Sequence, residues 1–396
     1  MRRIYLDHAA TTPVDKAVLA DMLPYFSDIA GNANSLHSFG REGAYAVDTA
    51  RRQIAADLGV KPTEIYFTSG GTEADNWAVK GIAALDKNRG GHLITSKIEH
   101  HAVLCAFEQL EKQGYAVTYL DVDGEGLVSP EALEREIRPD TFLVSVMLAN
   151  NEIGTIQPIR ELCEIAHRRK LIFHTDAVQA IGSIPVNITA LGVDMLSFSA
   201  HKFYGPKGIG VLYIKSGIRP DKLIAGGHQE RSRRGGTTNV PSVVGLAAAL
   251  RLALENLDEN AEAIRALRDS FVKRVEDTIP HVVYNGSRDK RLPGNASFSF
   301  AFIEGESLLL NLDLNGIACS SGSACSSASL EPSHVLLATG LPIELAHGSI
   351  RFSFGKSNTS DDVAYTVEKL TEAVKKLREM SPLFAVIEHK GEGEYV

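Results

Sequence analysis

The run "HLITSKIEHHAVLCAFEQLEKQGYAVTYLDV", residues 92–122, decides the fold. It opens on "HLITS", a short strand, passes through the helical stretch "HAVLCAFEQLEKQG", which stops at a glycine, and returns to strand composition in "AVTYLDV". The unit recurs along the chain. Upstream, Val47, Ala50, Ile54 and Leu58 mark an amphipathic helix ending at Gly59, followed by "EIYFTSGG", a strand running into a glycine turn. Downstream come "SPEALEREIR" (helix), "TFLVSVML" (strand), "IRELCEIAHRRK" (helix) and "LIFHTD" (strand). Alternation of this kind, with continuous apolar strands and short connections, predicts an α/β domain whose mainly parallel sheet is covered by helices on both faces.

After "SFSAHKFYGPKGIGVLYIK" the pattern changes to a long helical stretch over 242–279, then "ASFSFAF", "GSIRFSFG" and a last helix over 360–378. A smaller α+β domain is expected there, completed by the N-terminal segment folding back, which divides the chain into 14–258 and 1–13 with 259–396. A chain of 396 residues suits two cores better than one. With 41 Lys and Arg against 49 Asp and Glu, the net charge is −8, so neither a basic stripe for nucleic acid nor a polybasic membrane anchor is expected. No apolar run reaches the roughly 18 residues of a spanning helix, and no apolar segment follows "MRR" at the N-terminus. A cytoplasmic protein acting on small molecules or other proteins is the expectation. The four cysteines are too few and too irregular for a disulfide framework. Cys105 and Cys163 sit in helical patterns and read as small buried residues, while Cys319 and Cys325 lack zinc-site spacing.

Four stretches at strand ends carry residues suited to chemistry, because ligands of open α/β sheets bind there. "TSGGTEADNWAVKG" stops a strand, lets the backbone approach a ligand at two glycines, and starts a helix at Thr72 or Glu73; it reads as a phosphate cup or as a tight turn with a threonine cap. Asp176 in "HTDAVQA" either closes a helix or holds a ligand cation. Lys202, with Ser199 and His201 in "SFSAHKFYGPKG", is a solvated surface charge or a Schiff-base lysine. In "KIEHHAV", His100 or His101 is a helix cap or an aromatic plate over a ring. Phosphate cup, carboxylate, amine and imidazole together meet the needs of pyridoxal 5′-phosphate (PLP).

The chain resembles the cysteine desulfurases of NifS/IscS type, in the class V aminotransferase group of fold-type I PLP enzymes. The resemblance runs through "YLDHAATTPV", "TSGGTEADN", "ANNEIGTIQPI", "HTDAVQAIG", "SFSAHKFYGPKGIG", "RRGGTTNVPSVVG", "SSGSACSSASLEPSHVL" and "GSIRFSFGK". It implies a large domain built on a seven-stranded, mainly parallel sheet. It also implies that Lys202 carries the cofactor as a Schiff base, Asp176 pairs with the pyridine nitrogen, Gln179 and Asn151 lie at the ring hydroxyl, and His100 stacks on the ring. Gly71, Thr72, Ser199 and His201 would hold the phosphate, and Thr237 would reach the phosphate of the other subunit of a homodimer. Arg351, with Asn151, would bind the substrate carboxylate. His100 is preferred over His101 because it aligns with the family's "EH". Ala33 stands where the family often has proline, which leaves open what Asn32 and Asn34 contact.

The resemblance gives a purpose to "SSGSACSSASLEP", residues 320–332, a stretch of small residues around one thiol. Cys325 would attack the sulfur of L-cysteine, leave alanine, and carry a persulfide to an acceptor outside the site. The long tether implies sulfur supply for iron-sulfur cluster assembly, delivered to a scaffold or other acceptor protein, with transfer RNA thiolation as a second route. No metal is expected beyond a cluster ligated transiently by Cys325. Cys319 reads as a buried strand-end residue or as a second sulfur carrier. The competing readings are a selenocysteine lyase or other class V aminotransferase, which would not require Cys325, and a non-catalytic sulfur-relay or scaffold protein.

Overall fold

The computed structural model describes residues 2–321, 331–382 and 384. Its strands, in chain order, are β1 Ile4–Tyr5, β2 Ile65–Thr68, β3 His92–Ser96, β4 Ala116–Leu120, β5 Thr141–Ser145, β6 Ile172–Asp176, β7 Met195–Ser199, β8 Gly210–Ile214, β9 Val282–Tyr284, β10 Asn295–Phe300, β11 Ile317–Ala318 and β12 Ser349–Ser353. Seven of them form one sheet in the order β2-β8-β7-β6-β5-β3-β4. All its pairings are parallel except those of β8, which runs antiparallel to both β2 and β7. The turn "FYGPKG" between β7 and β8 is too short for a crossover helix, so β8 must reverse direction.

Strands β3, β7 and β8 are buried along their whole length, the pattern expected where helices cover both faces. One face packs against helices Gly71–Ala83 and His101–Lys112 through Trp77, Phe107 and Leu143. The opposite core gathers Ile54, Phe173, Phe198 and Phe203 with the apolar helix Val240–Glu255. A separate core around Phe271, Phe298, Phe352 and Leu370 joins the β9-β10-β12 sheet to helices Leu257–Thr278 and Ser360–Glu379. The N-terminal strand β1 pairs with β11, and Ile4 with the following Leu6 joins that second core.

Two expectations need correction. The helical stretch over 242–279 is two helices, Val240–Glu255 and Leu257–Thr278, bent by 73° at a break where Asn256 leaves helical geometry. Each half serves a different core, so the axis has to turn. Cys105 is exposed, because its helix buries the stripe Ala102, Val103, Ala106, Phe107 and Leu110, and position 105 lies outside it. Cys163 is buried as expected. Among the described residues no single helix is long and apolar enough to cross a membrane.

Candidate active site

Strands β3, β6 and β7 run parallel in the one sheet, β6 and β7 as neighbours and β3 one strand further on beyond β5, and the segments that follow them carry His100, Asp176 and Lys202. Lys202 closes the short helical turn Ala200–Lys202 after β7, and its Nζ donates to the carbonyls of Ala9 at 2.6 Å and Ala10 at 2.9 Å. Gln179 Nε2 donates to the same Ala9 carbonyl at 2.9 Å. The N-terminal segment therefore folds across the lysine, held also by Thr12, whose hydroxyl donates to the His201 carbonyl at 3.0 Å.

Asp176 is the last residue of β6 and is buried. Its Oδ1 accepts the Val178 N–H at 2.8 Å. Burial raises its pKa, against the opposing pull of that N–H and of the Lys202 ammonium. His100 caps helix His101–Lys112, its Nδ1 accepting the Ala102 N–H at 3.1 Å. Burial, reinforced by Lys202, pushes the His100 pKa down to about 4, so the ring is neutral at pH 7 and able to take a proton. Of the two readings of this histidine, the helix cap is formed.

A cleft of about 360 Å³ opens beside this group, lined by Gly71, Thr72, Ser199 and His201, with Thr11, Ser69 and Lys207 added. The four expected phosphate residues thus meet, although they come from two segments some 130 residues apart in the chain. Helix Gly71–Ala83 begins here, capped by Gly70 with no side-chain hydrogen bond, so its first N–H groups and its dipole face the cleft. The start lies at Gly71 rather than Thr72 or Glu73, and no threonine cap is formed. Gly71 has to be glycine: a Cβ there would stand 2.7 Å from Val178 Cγ2. His201 Nδ1 lies 3.1 Å from Thr11 Oγ1, and burial with Lys202 and Lys207 nearby lowers its pKa to about 4. An anion-binding helix end, an anion at a buried strand end and an amine between them are the chemistry of a PLP site, and the residues fit that group.

Arg351, in β12, is buried and reaches the same region from the second core. Its Nη1 donates to the Asn151 carbonyl at 2.9 Å and its Nη2 to Asp7 Oδ1 at 3.0 Å, while Nε has no hydrogen-bond partner among the described residues. Asp7 is a partner that sequence spacing could not reveal, since 344 residues separate the two. Cys319 follows β11 directly and packs on the second core, as the strand-end reading expected. Burial, and then Asp7, push its thiol pKa up, so it stays protonated and a poor nucleophile. Cys325 lies outside the described residues. Thr237 is exposed on the loop after helix Gln229–Ser232.

That loop is pinned by two ion pairs that the sequence did not disclose. Arg51 forks onto Glu230 at 2.6 and 2.9 Å inside the protein, and Glu230 also accepts the Phe67 N–H at 3.0 Å. Arg234 binds Glu73 at 2.8 and 2.9 Å. These contacts hold Glu230, Arg231 and Ser232 in left-handed backbone, with φ of 46°, 57° and 62°. Glu230→Ala should cost about 3–5 kcal/mol by stranding the Arg51 guanidinium. Thermal unfolding should show a clearly lower midpoint; an unchanged midpoint would mean that the pair adds nothing to stability.

Fold and site together define a fold-type I PLP enzyme. The family described as aminotransferase class-V matches residues 4–365. The chain is 54% identical over 381 residues to "Cysteine desulfurase IscS" of Dictyoglomus turgidum, covering 96% of this chain and 97% of that protein. It is 47% identical to "Cysteine desulfurase" of Rattus norvegicus over 98% of this chain and 86% of that one. A solved NifS-like protein superposes with a TM-score of 0.90 at 41% identity, over 95% of this chain and all of that chain. The chain belongs to the cysteine desulfurases of the class V aminotransferase family.

Proposed function

We propose that this protein converts L-cysteine to L-alanine and passes the sulfur to Cys325 as a persulfide, for delivery to acceptor proteins that build iron-sulfur clusters. The observation that carries the reading is the gathering of Lys202, Asp176, His100 and the phosphate cup beyond strand ends of one sheet, with an arginine from the second core that can take a carboxylate. A solved relative described as SspA in complex with cysteine, 38% identical to this chain, supports the substrate. The test is a purified enzyme given L-cysteine and a reductant: alanine and sulfide should form in equal amounts.

When bound, PLP supplies an electron sink for the α-carbon of the amino acid. The protein's own residues do the rest. Arg351 and Asn151 orient the substrate carboxylate, and the Lys202 amine removes and returns the proton at the α-carbon. Asp176, as the buried anion, keeps a proton on the ring nitrogen. Neutral His100 accepts a thiol proton. The Cys325 thiolate then attacks the substrate sulfur: an S–S bond forms, the substrate C–S bond breaks, and its electron pair stays with the carbon, which is protonated to the methyl group of alanine. One thiol and one cysteine give one persulfide and one alanine, so no outside oxidant is needed.

Asp7 and the substrate carboxylate compete for Arg351. Arg351→Ala should raise KM for cysteine roughly 10- to 100-fold, the loss of about 1.5–3 kcal/mol in charged hydrogen bonds. Steady-state kinetics decide, and an unchanged KM would remove Arg351 from the substrate site.

Further parts of the reading rest on support of other kinds. Leu23, Phe26, Leu36, Phe39 and Tyr45 are exposed apolar residues near the N-terminus, which supports a homodimer in which Thr237 reaches the partner's phosphate. Separate cores and the bend at Asn256 support the two-domain division 14–258 and 1–13 with 259–396. The small number of cysteines supports a reducing, cytoplasmic setting.

A further inference from the structure

Beneath the strand ends lies a buried polar layer that the reaction scheme does not use. Side chains two residues apart on a strand share a face, so His174 lies under Asp176 on β6, and Ser197 under Ser199 on β7. The registers bring Ser145 beside His174 and Ser197 beside Asp176. His174 Nδ1 meets Ser145 Oγ at 2.8 Å and its Nε2 meets Ser197 Oγ at 2.9 Å. Asp75, from the first turns of the phosphate-cup helix, stands 3.7 Å from His174 Nε2, with Ser197 near enough to act on its carboxyl group. Asp75, His174 and Ser197 are all essentially inaccessible to water.

We infer that Asp75 is a positioning residue held as a neutral carboxylic acid behind the Ser197 and His174 layer, which leaves Asp176 as the one ionised member of the buried trio Asp75, Glu99 and Asp176. The inference rests on the PLP reading given above. Three buried carboxyl groups, Asp75, Glu99 and Asp176, repel one another here, and among the described residues Lys202 is the one cation acting on any of them. They cannot all ionise. Asp176 accepts a backbone N–H and faces Lys202. Asp75 Oδ1 and Glu99 Oε2 have no hydrogen-bond partner among the described residues, which a carboxylate would tolerate poorly and an acid hydroxyl tolerates better. Glu99 is held by Ser96 Oγ at 2.5 Å and the Met147 N–H at 3.0 Å. His174 cannot serve as the counter-cation: burial pushes its pKa down to about 3, and a neutral ring suits two hydroxyl partners. Burial, then the charge of Asp176, raises the Asp75 pKa well above the usual range, and burial raises that of Glu99 to about 8.

A carboxyl whose pKa is raised by folding binds its proton more tightly in the folded state. Stability is therefore full below the unfolded pKa, near 4, and falls as the pH climbs toward the raised folded value. The groups facing Asp75 are His174 and Asp176 from β6 and Glu99 from the segment after β3, while Lys202, from the turn after β7, acts on Asp176.

The test uses full-length wild type, Asp75→Asn, Asp75→Ala and Glu99→Gln, each with and without PLP. Infrared spectra at neutral pH should show protonated-carboxyl absorption in wild type, a part of which is lost in Asp75→Asn and a different part in Glu99→Gln. Between pH 5 and 8 (roughly the window above the unfolded carboxyl pKa), the fall of the unfolding midpoint should be shallower in Asp75→Asn, by about one bound proton. Asp75→Ala should lower kcat roughly 10- to 100-fold with KM little changed and should shift the pH titration of the cofactor's visible band. Asp75→Asn should recover most of that loss. An unaltered infrared band and slope in Asp75→Asn would show that Asp75 is ionised and overturn the inference. Wild-type kcat and cofactor titration in Asp75→Ala would remove its positioning role. The measurements without PLP separate these failures from failure of the cofactor reading, which would show instead as absence of the visible band from wild type.

Discussion

Lys202→Ala protein should lack the visible absorbance of the cofactor bound as a Schiff base and should form no measurable alanine from cysteine. Two losses combine. The covalent link is gone, and so is the base at the α-carbon, which alone is worth roughly 10²- to 10⁴-fold. The environment explains why a lysine serves here. Its ammonium sits against the carbonyls of Ala9 and Ala10 and within the field of Asp176, so the side chain is aimed rather than free to wander in solvent. The substitution should leave the fold intact, because Phe203 and Ala200, not Lys202, fill the core at this turn. Absorbance spectra, circular dichroism and an alanine assay together decide it. Alanine formation near the wild-type rate would show that another residue is the base.

Cys325→Ala should also stop turnover, by at least about 10³-fold in alanine formation, while leaving the visible band of the cofactor in place. The difference from Lys202→Ala is the point of the comparison. In the proposed reaction cofactor binding depends on the strand-end cluster, whereas C–S cleavage depends on a nucleophile that accepts the sulfur. Cys319 should not substitute, because burial and Asp7 hold its thiol in the protonated form. Addition of cysteine to Cys325→Ala should therefore change the cofactor spectrum without releasing sulfide. Full alanine production by this variant would leave the cofactor reading standing and remove Cys325 from the reaction.

Much of this arrangement was legible in the sequence because local pattern and fold agree. "HLITS" is a strand over the same five residues, 92–96, and the residues expected to bind phosphate, ring nitrogen and cofactor carbonyl stand at or within four residues of the ends of "IYFT", "IFHTD" and "MLSFS". Parallel strands of one sheet end at the same edge, so local motifs that follow them gather into a site. The bend at Asn256 escaped because no glycine or proline marks it, and both flanking segments have helical composition. The exposure of Cys105 follows from which helical stripe is buried, a matter of one or two positions. Contacts between distant segments were not readable at all: Asp7 with Arg351, Glu230 with Arg51, and Asp75 with His174 depend on how the chain closes on itself. The "HTD" strand did hold one usable signal. A histidine two residues before Asp176 on a strand must lie on the same face.

The central claim is that sulfur leaves cysteine by transfer to the thiol at position 325. Brief reaction of the enzyme with L-cysteine carrying heavy sulfur, followed by quenching, alkylation and mass spectrometry of its peptides, tests this most directly. The account predicts one labelled sulfur atom on the peptide containing Cys325, none on those containing Cys105, Cys163 or Cys319, and an equal amount of alanine. Alanine released while the Cys325 peptide stays unlabelled would contradict it.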